Sequence, residues 1–105
     1  MQKFKTESIE RLFKVILELG SVDECYEFFE DVCTVKELQD LAQRLDIAVM
    51  LEEGKNFIQI SSEVGASSAT ISRVNKCLMY GNGGYKKAIE IIKNKKENGK
   101  ETGKK

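Results

Sequence analysis

The chain has 105 residues, 41% of them hydrophobic, no histidine, tryptophan or proline, and a formal net charge of zero. That size and composition allow one cored domain and exclude wholesale disorder, and no apolar run approaches the ~18 residues of a membrane span. The zero hides a split: residues 1–53 carry 6 Lys+Arg against 13 Asp+Glu, whereas residues 54–105 carry 11 against 4.

In chain order, residues 4–19 repeat apolar positions at helical spacing: Ile9, Leu12, Phe13, Ile16 and Leu19. Val15 and Leu17 widen that stripe beyond what one short helix buries within its own chain. Gly20 ends it. Ser21 with Glu24 forms a capping box and opens a short helix with Val22, Cys25, Phe28, Phe29 and Val32 on one side. Thr34 with Glu37 repeats the device. The longest helix follows, its stripe marked by Val35, Leu38, Leu41, Ala42, Leu45, Ala48 and Val49, and it stops near Gly54.

Asn56 caps a short helix bearing Phe57, Ile60 and Val64, which Gly65 breaks. Ser67 caps the next, with Ile71, Val74 and Leu78 inward. Tyr80-Gly81-Asn82-Gly83-Gly84 is a loop, and a last helix carries Tyr85, Ala88, Ile89 and Ile92. Residues 95–105 contain no large apolar residue and read as a disordered, lysine-rich tail. The fold class is therefore all-α, with six helices in one domain over residues 1–94. Cys25, Cys33 and Cys77 lack metal-ligand spacing. Their odd number, with no signal peptide, points to reduced thiols in a cytoplasm, each a buried small apolar residue.

The stretch "SSEVGASSATISRVNK" at residues 61–76 carries the functional signal. Two short helices meet at Gly65 with helix-turn-helix spacing, over about residues 56–78. Such a unit needs a small residue where the helices touch, here Ser61, a turn residue tolerating positive φ, and inward apolar residues: Ile60, Val64, Ala66, Ile71 and Val74. The pattern alone also fits a plain structural corner. The second helix favours DNA. Ser67, Ser68, Ala69, Thr70 and Ser72 are short enough for close approach to a major groove. The helix N-terminus offers free N–H groups to phosphate, and Arg73 and Lys76 add cations. Asn56, Gln59 and Ser62 on the first helix complete the candidate contacts. The competing reading makes the serines caps and solvated surface.

"TVKELQDLAQRLDIAVMLEEGK" followed by "SSEVGASSATISRVNKCL" closely resembles the bacterial Trp repressor family, and looks most like its YerC/YecD branch. "GASSATISR" is the most specific part. The resemblance implies an intertwined homodimer, which would account for the wide stripe of residues 9–19. It places two recognition helices about one DNA turn apart on a palindromic operator.

It also implies a possible corepressor site. The family binds tryptophan between its long central helix and recognition helix, and the matching positions here are Thr34, Arg44 and Arg73. Two family positions differ: Val74 stands where tryptophan-binding members have glycine, and Cys77 where they have serine. A branched side chain at Val74 would occupy the indole's space, so the DNA function transfers better than the ligand. These positions otherwise read as surface arginines and an N-cap.

The expected function is a dimeric transcriptional regulator, a repressor of double-stranded DNA sites, with no membrane association and no resident cofactor. The alternative is a helical dimer using its helix-turn-helix for protein–protein contact. An enzyme is not expected, for lack of a nucleophile–base motif, phosphate loop or metal cluster.

Overall fold

The computed structural model describes residues 5–102, with side chains through Lys95. The described residues form six helices: α1 (Glu7–Glu18), α2 (Val22–Val32), α3 (Val35–Glu52), α4 (Phe57–Val64), α5 (Ser68–Tyr80) and α6 (Gly84–Thr102). Two compact units divide the span that the sequence reads as one domain. One runs through Leu38 and the other starts at Gln39.

In the N-terminal unit, local caps define every boundary. The Thr6 hydroxyl accepts from the Ile9 N–H at 3.1 Å, a cap the periodicity did not reveal. Ser21 accepts from the Glu24 N–H at 3.1 Å. The Glu24 carboxylate, however, reaches one residue further back than a strict capping box and accepts from the Gly20 N–H at 2.7 Å. Thr34 and Glu37 make the full reciprocal pair at 3.0 and 2.9 Å. Phe28 and Phe29 meet edge to face, centroids 5.3 Å apart. Neither α1 nor α2 buries a single residue within the chain. Phe13, Leu17, Val22 and Val32 all stand exposed.

The core lies in the C-terminal unit. Ile47 and Ala48 of α3, Ile60 of α4, Ala66 in the turn, Ile71, Val74 and Leu78 of α5 and Ile89 of α6 are buried together, flanked by Val49, Met50, Leu51, Val64 and Tyr85. The inward set expected of the helix-turn-helix is thus the inward set found. The expected stripe on α3 is found only toward its C-terminal end, where Ala48 is buried and Val49 packs against the core. Val35 and Leu41 are exposed, and Ile47, absent from that stripe, is completely buried. The C-terminal part of this helix meets the partners supplied by α4–α6, and there Ile47 is covered together with Ala48.

Two further expectations are corrected. Cys25 and Cys33 are only half-buried and Cys77 is exposed, all as free thiols. Cys77 directly precedes Leu78 on α5 and falls off its inward stripe of Ile71, Val74 and Leu78. The last helix does not end near residue 94: its backbone continues to Thr102, since lysine and glutamate are good helix formers even without apolar partners. Side chains from residue 96 and all of residues 103–105 lie outside the described residues, as does that part of the expected tail.

Candidate nucleic-acid interface

Backbone chemistry sets the first helix of the motif. The Asn56 Oδ1 accepts from the Gln59 N–H at 2.8 Å, and the Gln59 Oε1 accepts from the Asn56 N–H at 2.9 Å, a complete capping box. Both oxygens are thereby used, leaving the two side-chain NH2 groups as donors. Lys55, just before the cap, binds both carboxylate oxygens of Glu63 at 2.9 and 3.1 Å and clips the start of α4 to its last turn. That hydrogen bond holds the Lys55 ammonium above its ordinary pKa, against a smaller opposing effect of desolvation.

Three interactions define the turn. Gly65 takes the left-handed conformation, φ +72°, and its N–H caps α4 through the Ser61 carbonyl. The Ser61 hydroxyl donates to the Ala66 carbonyl at 2.8 Å, so the small residue expected at the crossing also fastens the turn. The Gln43 side chain of α3 donates to the Val64 carbonyl at 3.0 Å, satisfying an end-of-helix acceptor from outside the motif.

Ser67 then caps α5. Its oxygen accepts from the Thr70 N–H at 3.2 Å, and its hydroxyl donates to the Thr70 Oγ1 at 3.1 Å. Ser67 thus starts the helix, as its reading as a cap expects, and it remains exposed there. Thr70 is half-buried, and its own hydroxyl hydrogen remains to donate. Ser68, Ala69, Ser72, Arg73 and Lys76 are exposed on α5, and Ser62 on α4. The first turn of α5 has no acidic residue. A helix N-terminus of this kind presents positive dipole, short side chains and two cations further along, a combination suited to phosphate and base edges.

The sequence reading passed over one feature here. Ile58 is 81% exposed, the most exposed large apolar residue of the described chain. With Phe57, Ser61, Ser62 and Ser68 it lines an open concavity of about 340 Å³. Ile58 lies off the inward stripe, and that was the available signal.

The candidate corepressor residues are distributed as follows. Arg44 is half-buried on α3, and Arg73 is exposed on α5. Val74 is 1% exposed and belongs to the core with Ile47, Ile60 and Ile71. Cys77 lines a separate groove of about 480 Å³ with Leu45, Asn82, Tyr85 and Ala88. Thr34 belongs to the N-terminal unit, where it caps α3. Among the described residues no helix is long and apolar enough to cross a membrane.

Comparison with known proteins agrees with this geometry. The family model of the Trp repressor protein matches residues 7–93. The uncharacterized protein YerC of Bacillus subtilis (strain 168) is 48% identical over 93 residues, 89% of either chain. Among solved structures, a TrpR-like protein from Eubacterium eligens is 49% identical with a TM-score of 0.83, over 88% of this chain and 95% of that one. A putative Trp repressor from Staphylococcus aureus is 42% identical with a TM-score of 0.84, over 88% and 92%.

Proposed function

The chain belongs to the Trp repressor family, and from that premise we propose that it is a sequence-specific DNA-binding transcriptional regulator, acting as a repressor by occupying its operator. The observation that carries the reading is the α4–Gly65–α5 unit. Its inward residues are consumed by the core, its turn is fastened by Ser61, and its exposed second helix begins with small neutral side chains followed by Arg73 and Lys76. Ala69, Thr70 and Ser72 read base edges in the major groove, while Arg73 and Lys76 neutralise phosphates. Filter binding to genomic DNA fragments at moderate salt tests this. Retention of a discrete subset of fragments supports it; retention of none favours a protein–protein role for the same unit.

The active species is a homodimer. Support comes from α1 and α2, which bury no residue within one chain, and from Val35 and Leu41 on the uncovered side of α3. Covering an exposed Leu or Phe contributes about 1.5–3 kcal/mol, and a second copy seated on these helices would cover several of them at once. Two-fold symmetry then pairs two copies of α5 with a palindromic site.

Regulation by tryptophan is not part of the proposal. Val74 is a core residue, and it fills the space that a glycine would leave. The valine fixes α5 against the core, and the protein binds DNA without a corepressor.

A further inference from the structure

From the placement of Ile58 we propose a specificity contact: Ile58 reads the C5-methyl group of a thymine in the major groove, at a base pair outside those reached by α5. This rests on the DNA-binding reading above and adds to it a residue and a base.

The inward face of α4 is used up. Ile60 is fully buried, Val64 packs on the core, and the Ser61 hydroxyl is bonded to Ala66. Ile58 points away from all of these and is 81% exposed. A β-branched apolar residue at that exposure on the first turn of a capped helix gains nothing from its own chain. Its surroundings are specific, however. Ser62 lies one turn further along the same side of α4, and Ser68 opens α5. These two serines, Ser61 and Phe57 complete one concavity with Ile58. The apolar side chain and the start of the candidate recognition helix thus share one recess, and none of the five lining residues is charged.

The chemistry of the recess narrows its occupant. With the Ser61 hydroxyl bonded to Ala66, the hydroxyls of Ser62 and Ser68 offer neutral hydrogen bonds beside an apolar wall of Phe57 and Ile58. Phosphate would find no cation there. In the major groove only thymine combines a carbonyl acceptor, O4, with a methyl group; cytosine presents a donor and no methyl, and the purines present neither methyl nor hydrophobic edge. A serine hydroxyl donating to O4 and Ile58 packed on the methyl account for both kinds of lining.

The test starts from the duplex that the full-length protein selects from a random pool. Each thymine of that duplex is replaced in turn by deoxyuridine, which lacks only the methyl. Affinities are measured for the natural protein and for Ile58→Ala. The expected result is one symmetry-related position at which uridine weakens the natural protein about fourfold per half-site, the worth of one buried methyl group, while Ile58→Ala binds thymine and uridine equally. Sedimentation of Ile58→Ala should match the natural protein. Identical uridine profiles for the two proteins overturn the proposal, as does dissociation of the Ile58→Ala oligomer, which would assign the side chain to a subunit interface. Failure of the natural protein to select any duplex would instead remove the DNA-binding reading, and the proposal with it.

Discussion

The Ser61 hydroxyl of α4 donates to the Ala66 carbonyl at 2.8 Å across the Gly65 turn, so one side chain both permits the close approach of two helices and ties their connection. Ser61→Ala leaves a partly buried carbonyl without this partner and should cost about 1–3 kcal/mol, read as a lower midpoint in urea. Ser61→Leu should damage DNA binding more than stability, because bulk at the crossing re-angles α5. Unchanged affinity in a folded Ser61→Leu protein would mean that the crossing does not set the reading angle.

Gly65 tests the turn separately from its packing. A Cβ built there meets nothing within 4 Å, so the only obstacle to substitution is φ +72°. Gly65→Ala should destabilise by about 1–2 kcal/mol, and Gly65→Asn by less, since asparagine tolerates the left-handed region better. Thermal denaturation of the pair gives the order. Equal losses would point to a steric cause that the geometry does not contain.

Val74 decides the question of tryptophan. Calorimetry should detect weak binding or none with the natural protein, because forcing bulk into a packed site costs about 1–3 kcal/mol, or roughly 5- to 150-fold in affinity. Val74→Gly should gain binding while losing stability, the latter from an emptied core position and a helical glycine. Val74→Ala provides a milder variant should the glycine protein unfold. Tight binding by the natural protein would refute the steric argument.

The dimer prediction concerns concentration. Equilibrium sedimentation over a wide dilution range should show no folded monomer at low micromolar protein, since α1 and α2 have no core of their own. Leu17→Asp, at a residue 80% exposed in the single chain, should weaken the assembly. A stable, folded monomer would contradict the account of these helices.

Much of this was legible in the sequence because it is local. A cap needs a hydroxyl or amide within three residues of its N–H, so Ser21, Thr34, Asn56 and Ser67 announce their helices. Gly65 and the inward set from Ile60 to Leu78 follow from turn chemistry and a period of 3.6. What failed to show depends on distant partners. The Gln43–Val64 bond joins residues 21 apart in sequence. How much of the α3 stripe is buried, and that Ile47 joins Ala48 in the core, depends on what α4–α6 bring to it. Cys77 reads as a small core residue by type, yet it falls off the inward stripe of Ile71, Val74 and Leu78 and is exposed.

The central claim is that the first turn of α5 reads DNA. Selection of bound duplex from a random pool, performed side by side with the natural protein and Thr70→Glu, tests it most directly. The natural protein should enrich a palindrome with half-sites about one helical turn apart. Thr70→Glu should keep its helix content and dimeric state yet enrich nothing, because a longer acidic side chain collides with the groove and repels phosphate. Enrichment of the same palindrome by both proteins would contradict the claim.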